Sequence, residues 1–352
     1  MPLAWSSGNP RQGLLPIGKP PCDGCPWRLE HRCRGPKNAL SLFPAPGWPV
    51  TCFDYGKLAI LRADLRENSP REHPAFARIR GLPASIPTLP PGMPAKLQLS
   101  PERLYSLALD DVIRPDGSLR YNSSTGLRRA FHLPPSGRLC LVASINDPLL
   151  ENLWRQSAVN QIWSRIRSLN FEFVTSLSFS VFEHQPRGAQ LLMQDKNLLS
   201  ADLLAAAGIP VVPLILDVVE EDLEATLRWL ADRPGIEVIG GLAQDWRRAD
   251  EFRRFLDRML FIKQHCPRPL HFFIVGCHEP DRVQRLVQEL THVSTSSENL
   301  VQQAIHGRVW DSRRERFLKA GPDETRETLV EESIASYCSL CDSFRDRLPL
   351  AG

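Results

Sequence analysis

From Arg138 onward the chain alternates short apolar runs with longer amphipathic stretches. Leu139–Ile145 (LCLVASI), Phe171–Ser176 (FEFVTS), Ile209–Leu216 (IPVVPLIL), Ile236–Leu242 (IEVIGGL), His271–Gly276 (HFFIVG) and His292–Ser296 (HVSTS) read as strands. Their apolar residues are nearly continuous, as in strands covered by helices on both faces of a parallel sheet. Between them the period lengthens to that of helices. One predicted helix carries Leu149, Leu153, Trp154 and Ile162, and another ends in Ala-Ala-Ala-Gly208, where glycine suits a C-cap. A third spans Val219 to Ala231. Strands alternating with helices argue for an α/β fold with a parallel sheet. Six β/α units fill residues 139–308, and two more, before 138 or after 308, would close a TIM-type (β/α)8 barrel.

Upstream the pattern is less regular. Residues 65–100 hold Pro83, Pro87, Pro90, Pro91 and Pro94 and read as an ordered excursion or loop. Gly56–Arg62 (GKLAILR) reads as a strand, and Pro101 to Ile113 starts like a helix with Ser100 as its N-cap. The expected organisation is a cysteine-rich extension over residues 1–55, a barrel over 56–330 and a C-terminal helix over 331–352.

If the strands are parallel, their C-terminal ends form one rim, where barrel enzymes keep their chemistry. That rim gathers Asn146, Asp147, Ser176, Ser178, Ser180, Asp217, Gly241, Asp245, Cys277, His278, Ser296 and Glu298. Asp217, Asp245 and Glu298 are its candidate carboxylates, each equally suited to a helix first turn. Gly240, Gly241 and Gly276 would let a flat ligand approach closely. In the run TSLSFSVFEHQPRG, Phe179 and Phe182 could stack on a base while Ser176, Ser178 or Ser180 bonds its edge, or both rings could fill the barrel mouth. His184 and Arg187 could meet a phosphate. Trp-Arg interleaving in WRRADEFRR (246–254) could bind a polyanion, although a charged helix face with packed stems is the favoured reading.

The cysteines change the picture at the N-terminus. CDGCPWRLEHRC places Cys22, Cys25 and Cys33 close together, with Cys52 beyond them. A CxxC turn can aim two sulfurs at one cation, and four thiolates satisfy tetrahedral zinc or a 4Fe-4S cluster. The CxxCPWR opening is similar to small cysteine-rich modules of phage and mobile-element proteins. Cys338 and Cys341 could complete a site with Cys22 and Cys25, or simply pack in a helix. The first twenty residues lack an apolar core for a secretory signal, and no run suits a membrane span. A cytoplasmic protein is expected, where cysteines are metal ligands or thiols more often than disulfides. The 43 basic and 40 acidic residues give a net charge of +3, which permits a nucleic-acid partner without requiring one.

Gly240-Gly241-Leu242, the Val275-Gly276 turn followed by Glu279-Pro280-Asp281, and the Ala304…Gly307-Arg308 close occur in a telling order. In order and spacing they resemble the last strands of the tRNA-guanine transglycosylase superfamily, including its phage and bacterial branches acting on DNA. The resemblance covers roughly a fifth of the chain. It implies a (β/α)8 barrel that exchanges guanine for a deazaguanine base in DNA or tRNA, with other subunits of a modification system as further partners. Where that family places its nucleophilic aspartate this chain has Ser296, and Glu298 or Asp217 would have to stand in for it. An inactive barrel that still binds nucleic acid or a purine-like base, and an iron–sulfur enzyme, are the alternatives.

Overall fold

The computed structural model describes Leu65, Pro70 and residues 74–347, apart from 158–160, 182–186, 218–219, 245 and 247. The Gly56–Arg62 segment and Cys22, Cys25, Cys33 and Cys52 lie outside the described residues.

Among the described residues, eight strands pair in parallel around a closed ring. They are β1 (Ser85–Pro87), β2 (Leu104–Ala108), β3 (Arg138–Val142), β4 (Val174–Thr175), β5 (Val211–Val212), β6 (Val238–Leu242), β7 (His271–Val275) and β8 (Val293–Ser297). One run of ladders joins β2 to β5 and another joins β6 through β7 and β8 to β1. Parallel bridges Thr88↔Ser106 and Leu214↔Gly240 close the two seams. The order is therefore that of a (β/α)8 barrel.

The six strands expected between 139 and 308 are present, and both missing strands lie upstream. Two expectations are corrected here. The proline-rich stretch contains β1, a strand of three residues that Pro87 can end because its missing N–H falls at the strand terminus. The ladder continues past it through Thr88 N to Ser297 O and Leu89 N to Ser106 O. Residues 101–113 do not open as a helix. Leu104, Tyr105, Ser106 and Leu107 are all buried, and burial on both faces favours a strand. Only α1 (Leu109–Val112) follows within that segment, then α2 (Ser124–Ala130).

The outer layer continues with α3 (Asp147–Gln156), α4 (Ile162–Ser168), α5 (Arg187–Ala206), α6 (Glu220–Ala231), α7 (Ala249–His265), α8 (Pro280–Leu290) and α9 (Asn299–Ile305). A hairpin of β9 (Arg308–Asp311) and β10 (Arg316–Lys319) leads to α10 (Arg326–Asp346). Strand alternation divides the core in two. Ile86, Leu104, Cys140, Phe173, Val212 and Phe273 fill the barrel interior, while Tyr105, Leu107, Leu139, Ile239 and Phe272 meet the helices outside. Gly240 points inward, where a Cβ would lie 2.5 Å from Leu214 Cδ2; Gly241 points outward, 2.9 Å from the Phe255 ring. These glycines make room for the barrel core and for α7 respectively.

Cys338 and Cys341 are buried in α10. Burial holds both thiols above their ordinary range, Cys341 at about 12. No described helix is long and apolar enough to cross a membrane.

Candidate functional site

The C-terminal ends of β3 to β6 open into a cleft of about 620 Å³. One wall is the segment after β4, and its serines are what fix it. Ser176 Oγ accepts from Leu214 N (2.8 Å), and Ser178 Oγ donates to Ala143 O (3.2 Å). Ser180 donates to Asp147 Oδ1 from both N and Oγ, each at 3.0 Å. Asn197 of α5 clamps Phe179, accepting from its N (2.7 Å) and donating to its O (3.1 Å). The Phe179 ring is fully buried, edge-on to Trp154 and 3.9 Å from Lys196 Nζ. Lys196 is itself buried and ion-paired with Glu151. Burial lowers its pKa, and Glu151 opposes that shift. Behind the serines the wall is thus a rigid polar buttress.

The opposite wall belongs to α7 and the turn before it. Arg254 and Arg258 lie one helical turn apart, and their guanidinium carbons sit 5.8 and 4.8 Å from the Trp246 ring centroid. Trp246 also packs against Phe255, with centroids 6.2 Å apart. Arg258 Nη1 donates to the Asp217 carbonyl at 3.0 Å, tying this wall to the end of β5. Asp217 is buried and lines the cleft with Ser178 and Ser180. Gln244 Nε2 reaches Ser144 Oγ at 3.3 Å across the floor.

The rim at β8, β1 and β2 is built differently. Ser296 Oγ lies 2.9 Å from Thr88 Oγ1 and 2.8 Å from Ser106 Oγ, and the latter two are 2.7 Å apart. Three buried hydroxyls close a ring in which each can donate once and accept once. No residue of that ring lines the cleft. Glu298 is the exposed N-cap residue of α9. Partial desolvation of its carboxyl, then the nearby Asp110, raises its pKa. Burial, then Asp110 and Glu298, push Asp111 up to about 6.

The expected site residues therefore separate. Asp217, Ser178 and Ser180 share the cleft, with Ser176 and Phe179 held in the structure behind it. Ser296 and Glu298 stand on β8 and just beyond it, four strands from β4 around the ring. Gly276, at φ +81°, has Gln244 Cβ 2.4 Å from where its own Cβ would be, so its glycine serves the β6–β7 packing. Cys277 is buried and its thiol is pushed up by burial, while His278 is pushed down by the same cause. Asp245, Phe182 and His184 lie outside the described residues. Among the described residues, no group of three or more His, Cys, Asp or Glu could hold a metal ion.

Trp246 and Arg254, both within the interleaved 246–254 stretch, line the cleft, and so does Arg258 beyond it, which the sequence reading did not name. Their signal was the spacing itself: a tryptophan just past a strand end, then arginines at i and i+4.

No known protein family matches the chain, and no curated protein matches it. Solved structures that are similar, at low identity, include the following two. A protein from Coccidioides immitis, provisionally assigned as a fructose-1,6-biphosphate aldolase, is 11% identical with a TM-score of 0.38, over 83% of this chain and 94% of that one. A protein from Aquifex aeolicus VF5 is 11% identical with a TM-score of 0.36, over 83% of this chain and 98% of that one. The parallel strand pairing itself defines the barrel of this chain.

Proposed function

We propose that this barrel is a base-exchanging enzyme acting at the β3–β6 cleft on a purine-like base joined to a sugar in DNA or tRNA, with Asp217 as its nucleophile. The observation that carries the reading is that Asp217, Ser178 and Ser180 share one cleft at strand C-terminal ends. The hydrogens of Ser178 and Ser180 are committed to Ala143 O and Asp147. Their lone pairs are left for a ligand, and with the carboxylate they form an acceptor-lined wall suited to the N–H edge of a base. In the exchange, an Asp217 oxygen bonds to the anomeric carbon as the glycosidic C–N bond breaks, and the departing base takes a proton from water. The incoming deazaguanine then bonds to that carbon through a ring nitrogen, gives its N–H proton to the hydroxide so formed and releases the carboxylate. This reading keeps the resemblance to the transglycosylase superfamily but moves the nucleophile from β8 to β5.

The test incubates DNA or tRNA with a labelled deazaguanine base. Asp217→Asn should lower incorporation by roughly a thousandfold, and Glu298→Gln should leave it near wild type. The reverse pattern would return the nucleophile to the β8 end. A second reading, binding without exchange, is favoured by the closed hydroxyl ring that holds Ser296 where the family has its aspartate. Wild-type protein that binds nucleic acid but incorporates no label would select it.

We further propose that Cys22, Cys25, Cys33 and Cys52 hold one structural zinc, the 4Fe-4S cluster being the alternative. Elemental analysis should find the zinc, and Cys25→Ser should lose it; a brown anaerobic preparation would instead mark the cluster.

A further inference from the structure

We infer that a second cavity, at the N-terminal ends of β2 and β3, binds a small phosphate monoester with an apolar body. It lies at the end of the barrel opposite the cleft and does not depend on the base-exchange reading.

The cavity holds about 550 Å³. Leu97 and Leu99 precede β2, and α2 leads through His132 and Leu133 to β3, so the two segments meet where these strands begin. Thr125 recurs with Arg128 and Arg129 at i+3 and i+4, on one side of α2, and His132 follows just past the helix end. All four line the cavity. Leu97, Leu99 and Leu133, each buried, supply its apolar part.

The charge of this lining is one-sided. Among the described residues, Arg128 and Arg129 line the cavity and no Asp or Glu does. Two acids stand near it. Glu172 is taken by Arg138 through bonds of 2.6 and 2.9 Å, and Glu331 Oε1 accepts from Gln98 N at 3.0 Å. Setting Glu331 against the two arginines still leaves a positive site. Arg128 is buried among neutral acceptors: Nε donates to Gly137 O (3.3 Å), Nη1 to Leu169 O (3.3 Å) and Nη2 to Asn170 O (3.2 Å). A cation held by carbonyls has lost its water without gaining a counter-charge, and an anion in the cavity would supply one.

The donors suit a phosphate. Ser124 Oγ accepts from Arg128 Nη1, so its own hydrogen points elsewhere. Among the described residues, no hydrogen bond or ion pair takes up the side chains of Thr125, Arg129 or His132. A guanidinium, an imidazole and two hydroxyls spread along α2 approach from different directions, which fits a tetrahedral phosphate better than a planar carboxylate. The three leucines then cover the body of the ligand, which a bare phosphodiester backbone would leave unmatched.

Calorimetry on the 352-residue chain would compare phenyl phosphate, phenol and inorganic phosphate. Phenyl phosphate should bind roughly tenfold more tightly than either of the others, each of which carries half of it. Arg129→Gln/His132→Asn should remove that preference; asparagine tolerates the φ of +54° at position 132. Hydrogen–deuterium exchange of the wild type needs no variant, and phenyl phosphate should slow exchange in 97–99 and 124–133. Equal affinity for the three probes would overturn the site. So would an unchanged preference in the folded double variant, or protection of 177–181 and 214–217 instead. Displacement of phenyl phosphate by a short single-stranded DNA would assign the surface to nucleic acid and overturn the small-ligand reading.

Discussion

The two halves of the barrel rim carry similar residues and use them in opposite ways. On the β3–β6 arc, Ser178 and Ser180 spend their hydrogens on Ala143 and Asp147 and still face a cleft. On the β8–β1–β2 arc, Thr88, Ser106 and Ser296 spend theirs on one another inside the barrel. A hydroxyl at a strand end thus becomes a ligand group only if its remaining lone pairs meet open space. The carboxylates divide in the same way: Asp217 is buried in the wall of a cavity, whereas Glu298 stands exposed at the start of α9 beside Asp110 and Asp111.

The sharpest way to break this comparison is to disturb the strand that separates the arcs. In Gly276→Ala the new Cβ would lie 2.4 Å from Gln244 Cβ and 2.9 Å from Gln244 N, at a positive φ that alanine resists. It should lower stability by about 3 kcal/mol in urea melts and loosen the cleft floor. An unchanged midpoint would show that β6 and β7 do not need this approach.

Opening the hydroxyl ring should have a smaller effect. Ser296→Ala leaves Thr88 and Ser106 without a closed circuit and should cost about 1–2 kcal/mol while leaving ligand affinity unchanged. Thr88→Val/Ser106→Ala/Ser296→Ala should cost less than the sum of the three single changes, because no buried hydroxyl is then left short of a partner. Additive costs would mean that the three do not act as a unit.

The smallest expected effect is on pH dependence. In the folded chain the Asp111 carboxyl is pushed up to about 6, above its ordinary 3.8, because burial and then Asp110 and Glu298 disfavour its charge. The folded state therefore holds this proton more tightly than the unfolded chain. Stability from this group is full below about pH 4 and is lost as pH rises through about 6. Half-buried His271, lowered to about 3 chiefly by desolvation, works in the opposite direction. The informative quantity is the difference between wild type and Asp111→Asn, which should lose the downward slope between pH 4 and 6. Parallel slopes would place Asp111 in ordinary solvent.

Much of the barrel was legible because strands covered on both faces must be nearly continuously apolar, as LCLVASI and HFFIVG are. The first two strands were hidden for specific reasons. Three-residue β1 sits among prolines that usually mark loops, and Pro101-Glu102 after Ser100 imitates a helix start just before LYSLA. Asp217, Ser178 and Ser180 could be placed on the rim by counting strands. That Ser296 is locked away could not, since its partners at 88 and 106 meet it only when β8 pairs with β1 and closes the ring. Sequence leaves Phe179 equally able to stack on a base or to fill the barrel mouth; only the fold surrounds it with Trp154, Lys196 and Asn197.

The central claim is that ligand binds the β3–β6 arc and leaves the β8–β2 arc untouched. Hydrogen–deuterium exchange of the 352-residue chain, with and without saturating guanosine 5′-monophosphate, tests it directly. The account predicts slower exchange in the segments 177–181, 214–217 and 248–259, and no change in 104–113 or 293–300. Protection confined to 104–113 and 293–300 would contradict it and return the site to Glu298.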